Sequence, residues 1–111
     1  MPKQLVKVRN AFPAATFALY TIMATVHLLI EGKVQGVYYR ATAKEVAQSL
    51  DLRGWVKNTA AGHVEAVVTG SEKAVNEFIE WCKKGPEKAV VSHVRTTAID
   101  TQTFADFKII R

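Results

Sequence analysis

Arg40 closes the run Gly32-Lys33-Val34-Gln35-Gly36-Val37-Tyr38-Tyr39-Arg40 and stands where the pattern turns helical. A helix N-terminus carries unpaired backbone N–H groups and a partial positive charge, so Asp or Glu is the expected residue there. A cation opposes the dipole by roughly 0.3–1 kcal/mol unless an anion is present. Arginine suits a phosphate because its planar fork can donate to two oxygens at once. The strand-to-helix loop before it offers further N–H groups to the same anion, and Gly36 frees the backbone to curl into a nest. By position alone, a solvated surface arginine is an equal reading. The loop is not a nucleotide P-loop, which needs Gly-Lys followed by Ser or Thr; here Gly32-Lys33 is followed by Val34.

The second candidate is Asn58, in Gly54-Trp55-Val56-Lys57-Asn58-Thr59-Ala60-Ala61-Gly62-His63-Val64. Its carboxamide offers both an acceptor and donors. Asparagine also commonly closes turns, and position alone favours that role. Other reactive types carry less. Cys82 falls on an apolar helical stripe and reads as a packing group. His27, His63 and His93 lie far apart, with no i,i+4 pair and no carboxylate or thiol at ligand spacing, so no metal is expected. Trp55 and Trp81 read as packing aromatics, although Trp55 is close to Asn58 in the chain.

The elements that must position these residues follow from periodicity. Val26, Leu28 and Ile30 alternate with His27, Leu29 and Glu31, a strand from Thr25 to Glu31. Ala43, Val46, Ala47 and Leu50 make the apolar stripe of a helix from about Tyr39 to Leu50. Gly54–Thr59 and His63–Thr69 form a hairpin through Ala60-Ala61-Gly62. Ser71 caps a second helix with Glu72 in its first turn; Val75, Phe78, Ile79 and Cys82 form its stripe, and Lys83, Lys84, Gly85 and Pro86 end it. A strand from about Val90 to Ala98 follows, and Phe104, Phe107, Ile109 and Ile110 suggest a short closing edge strand. The order βαββαβ with that closing strand predicts an α+β two-layer sandwich of the ferredoxin-like kind, an antiparallel sheet covered on one face by two helices.

A chain of 111 residues has room for one modest core. The +5 charge is unevenly spread. Lys3, Lys7 and Arg9 precede Ala24 and no acid does, which leaves twelve Lys and Arg against ten Asp and Glu beyond it, a net of only +2. That balance gives little attraction for nucleic acid. Residues 1–23 read as an upstream or expression-derived extension, with a targeting segment and an integral structural element as alternatives: three cations precede an apolar run, but Pro13 interrupts it and no small-x-small cleavage site follows. Pro13, with Thr16, Thr21, Thr25 and His27, also argues against a membrane span. The domain is expected over residues 24–111. One cysteine makes no internal disulfide, which fits a cytoplasmic location.

Together the two segments, Gly32-x-Val34-Gln35-Gly36-Val37-x-Tyr39-Arg40 and Gly54-Trp55-Val56-Lys57-Asn58-x-x-x-Gly62-x-Val64 with Gly70, resemble the paired signature of the acylphosphatase family. The resemblance runs from Thr25 to the C-terminus. It implies hydrolysis of acyl phosphates to a carboxylate and inorganic phosphate. The phosphate would be cradled by the loop backbone over Gln35, Gly36, Val37, Tyr38, Tyr39 and Arg40, held by the Arg40 guanidinium, and attacked by a water placed by Asn58. Tyr39 stands where the family often has Phe, which leaves the chemistry alone. An acyl phosphate is already activated, so collecting charge on the phosphoryl oxygens and aligning a water suffices. No cofactor is implied, and the expected partners are the acyl phosphate and inorganic phosphate as product and competitive inhibitor, with the chain a monomer. The alternative is a non-enzymatic ferredoxin-like phosphate- or nucleic-acid-binding module. RNA-recognition domains of this topology place aromatics on the third strand, and His63-Val64-Glu65-Ala66-Val67-Val68-Thr69 has none.

Overall fold

The computed structural model of the chain describes residues 4–6 and 21–111. Its elements are β1 (Gln4–Val6), β2 (Thr21–Lys33), α1 (Tyr39–Ser49), β3 (Arg53–Asn58), β4 (Val64–Ser71), α2 (Glu72–Lys84), β5 (Val90–Ile99) and β6 (Phe107–Ile110). The alternation in β2 decides the layers. Ala24, Val26, Leu28 and Ile30 are buried on one face, while His27, Leu29 and Glu31 on the other are half-buried. Val56 on β3 and Val64, Ala66 and Val68 on β4 continue the buried face. Both helices turn their stripes onto it: Tyr39, Ala43 and Ala47 from α1, and Ala74, Val75, Phe78 and Cys82 from α2. The first helix packs over β3 and β6, the second over β2 and β5.

Across the sheet, β2 is flanked by β4, β4 by β3, and β3 by β6; the other edge of β2 is shared by β5 along Thr25–Lys33 and β1 along Thr21–Met23. Every pairing is antiparallel except the last. Gly54 pairs with Phe107 and Lys57 with Ile110 in the same direction, so the sheet is mixed rather than wholly antiparallel. The cause is where β5 ends. Ile99 lies opposite Thr25, which also faces Thr69, and Thr69 faces Arg53 at the start of β3. The chain therefore crosses the sheet at the end where β3 begins. The Gln102 N–H donates to Thr25 Oγ1 (3.1 Å) on the way, and the strand that follows must run as β3 does.

The other difference lies at the start. β2 begins at Thr21 rather than Thr25, and β1 pairs with its first three residues, so the boundary expected between Met23 and Ala24 falls inside a strand. Residues 1–3 and 7–20, which include Lys3, Lys7, Arg9 and most of the apolar run, lie outside the described residues. No described helix is long and apolar enough to cross a membrane.

Candidate active site

The site is built around the first turn of α1. Tyr39, its first residue, is 2% exposed, and its hydroxyl donates to the Cys82 carbonyl (2.7 Å) near the end of α2. Its ring leans on Trp81 at 5.3 Å between centroids. Gly85 makes this approach feasible: a Cβ there would stand 2.8 Å from Tyr39 Cε2, and the backbone has φ 70°. Burial raises the Tyr39 phenol well above its ordinary range and pushes the Cys82 thiol up to about 12, so both remain protonated. The start of α1 is thus anchored on the neighbouring helix.

What it presents is unusually bare. Tyr38, at the N-cap, is left-handed (φ 61°, ψ 26°) and gives no side-chain cap, and the first turn contains no acid. The Tyr38 carbonyl accepts from the Thr42 N–H (3.1 Å) and the Thr42 hydroxyl (2.9 Å), which closes the turn. Gly36, at φ 76°, bends the preceding loop with open space beside it. Arg40 is half-buried, and none of the ion pairs among the described residues includes it.

A cleft of about 460 Å³ opens at this point. Gly36, Tyr38, Tyr39, Arg40 and Ala41 line it, together with Val34 from the loop and Asn58 from the end of β3. Asn58 Oδ1 is shielded from solvent and has no hydrogen-bond partner. An unpaired buried acceptor costs on the order of 1–3 kcal/mol, which is characteristic of a group held ready for a donor. The two residues proposed for chemistry from widely separated segments therefore line one cavity.

Gln35 and Val37 do not line it. The Gln35 side chain instead donates to the Thr59 carbonyl (2.9 Å) and the His63 carbonyl (2.8 Å), tying the loop to both ends of the turn that follows Asn58. Trp55 is absent from the cleft as well, and Lys57 Nζ lies 5.4 Å from its ring. Four lining residues lie outside the expected set: Val34 and Ala41, which flank the loop run, and the more distant Ile109 and Arg111. The place of the last two depends on β6 running parallel beside β3, with Ile109 opposite Val56, a pairing that no local pattern encodes. Among the described residues, no group of three His, Cys, Asp or Glu could hold a metal ion.

A model of the acylphosphatase family matches residues 26–109, and both segments that line the cleft fall within it. The chain belongs to the acylphosphatase family. It is 48% identical over 83 residues to the acylphosphatase of Marinobacter nauticus, covering 74% of this chain and 90% of that one. Among solved structures it is similar to an acylphosphatase from Coxiella burnetii, with a TM-score of 0.77 and 36% identity over 79% of this chain and 93% of that one. The acylphosphatase from Bacillus subtilis gives the same TM-score at 30% identity, over 80% and 99%. The expected ferredoxin-like α+β fold is borne out, and so is the activity: this acylphosphatase hydrolyses acyl phosphates to a carboxylate and inorganic phosphate.

Proposed function

We propose that Arg40 and the N–H groups at the start of α1 hold the phosphoryl group, while Asn58 places the water that attacks it. The observation that carries this reading is the first turn of α1: no cap, no acid and an unpaired arginine, all on a cleft shared with Asn58. Dipole, loop N–H groups and guanidinium act together on the phosphoryl oxygens, where charge must be stabilised during transfer. The Asn58 carboxamide turns its oxygen into the cleft to accept a hydrogen bond from the water, which directs the water's lone pair at phosphorus. The new P–O bond forms in line with the breaking bond to the acyl oxygen, the carboxylate leaves, and the water's proton passes to a phosphate oxygen. Gln35 acts indirectly. By holding Thr59 and His63, it keeps the phosphate loop and the Asn58 strand end at a constant separation, which in-line attack requires.

In this reading, hydrolysis needs no metal, cofactor or covalent intermediate, and inorganic phosphate competes for the same loop. The chain works as a cytoplasmic monomer without nucleic acid. The test is hydrolysis of benzoyl phosphate with a chelator present, comparing the parent chain with Arg40→Ala and Asn58→Ala after circular dichroism confirms that both fold. Both variants are expected to lose activity. An active Arg40→Ala protein overturns the mechanism, and activity abolished by the chelator overturns its metal independence.

A further inference from the structure

Tyr38 is in a backbone conformation that does not suit it. A bulky residue enters the left-handed region at a cost of roughly 1–3 kcal/mol, whereas glycine does so freely. The loop requires that conformation, because it directs the Tyr38 carbonyl onto Thr42 and opens the helix. It does not require the ring. Tyr38 is 82% exposed, the most exposed large hydrophobic residue among the described residues, and neither its ring nor its hydroxyl has a partner there. Fold stability therefore gives no reason for an aromatic at this position.

The cleft supplies one. Its lining joins charged and hydrogen-bonding groups, at Arg40, Arg111, the α1 N-terminus and Asn58, with the apolar side chains of Val34, Ala41 and Ile109 and with Tyr38. A cavity of about 460 Å³ leaves space beyond a bound phosphate. Binding sites of this kind orient a ligand by a few polar groups and hold the rest by apolar contact. We infer that Tyr38 is a specificity-determining residue: its ring packs against the acyl group, favouring acyl phosphates with aromatic or branched acyl groups over acetyl phosphate. The inference rests on the reading in which Arg40 and the α1 N-terminus hold the phosphate.

The experiment compares kcat/KM for benzoyl phosphate and acetyl phosphate in the parent chain, Tyr38→Gly and Tyr38→Phe. Glycine preserves the backbone conformation and phenylalanine preserves the ring. An aromatic contact of ordinary strength predicts that Tyr38→Gly lowers the benzoyl-to-acetyl ratio about three- to ten-fold, chiefly through KM for benzoyl phosphate. Tyr38→Phe should keep the ratio within about two-fold, because the ring rather than the hydroxyl makes the contact. An unchanged ratio in Tyr38→Gly, or an equal loss in Tyr38→Phe, overturns the inference while leaving the role of Arg40 intact. Failure of the underlying phosphate reading shows elsewhere, as retained hydrolysis of both substrates by Arg40→Ala.

Discussion

The two helices lie on the same face of one sheet, yet they begin in opposite ways. α2 is finished by its own sequence: Ser71 is extended, its hydroxyl accepts from the Ala74 N–H (3.1 Å), Glu72 meets the dipole, and Lys83 and Lys84 balance the other end. α1 has none of these. Its cap residue is a left-handed tyrosine, its first turn lacks an acid and carries Arg40, and its last turn lacks a base. Packing does not explain the difference, since Ala43 and Ala47 are as fully buried as Phe78 and Cys82. In the proposed reading a ligand's charge completes the start of α1, which opens on the cleft that Asn58 also lines.

Removing the cation from the open end should have the largest effect. Arg40→Ala is expected to lower kcat/KM for benzoyl phosphate by about 10²–10³, the scale for losing one charge-stabilising donor, while the melting temperature does not fall. Lost folding in place of lost activity would mean that the two helix starts do not differ in the way described. The contact that anchors α1 on α2 gives a second test, through pH. The unfolded thiol of Cys82 ionises near 9.0 and the folded one only at about 12, so the native state keeps a proton that the unfolded chain has lost. Stability is therefore constant below that window and should fall across it, by roughly ten-fold in the folding equilibrium per pH unit, with Tyr39 adding to the loss at the upper end. Urea unfolding at successive alkaline pH values measures this, and a flat profile would contradict the buried anchor.

Smaller effects separate the two termini directly. Ser71→Ala should cost about 1 kcal/mol and lower the melting temperature by several degrees, with activity per folded molecule preserved. Ala41→Glu supplies the missing acid to α1 and should raise its helical stability by about 0.3–1 kcal/mol while weakening inhibition by inorganic phosphate. If both rose together, the dipole at α1 would not be reserved for an anion.

Much of this was legible in the chain because it depends on local spacing. The stripes of both helices, the Ser71 cap, the Gly85 break and the hairpin all appear where periodicity and turn chemistry placed them. Arg40 could be singled out by physics alone, as a cation at a helix start. Asn58 could not, because an asparagine at the end of a strand serves turns equally well, and only its pairing with the first segment gave it meaning. The loop residues were less separable. Gln35 was grouped with its neighbours as part of the cradle, whereas its amide spans to Thr59 and His63, residues more than twenty positions away.

The sequence by itself determined the order of elements from β2 onward, the buried faces of β2 and both helices, and the paired segments that mark an acylphosphatase, since these depend on side-chain period and on residue types at near positions. Only the tertiary structure decided that β6 runs parallel to β3, that Ile109 and Arg111 therefore join the cleft, and that the Tyr38 ring has no partner in the fold. The physical reason is common to all three. Each depends on which distant segment comes to lie alongside or stays away, and for β6, Ile109 and Arg111 that is settled by where β5 ends and how the chain returns across the sheet.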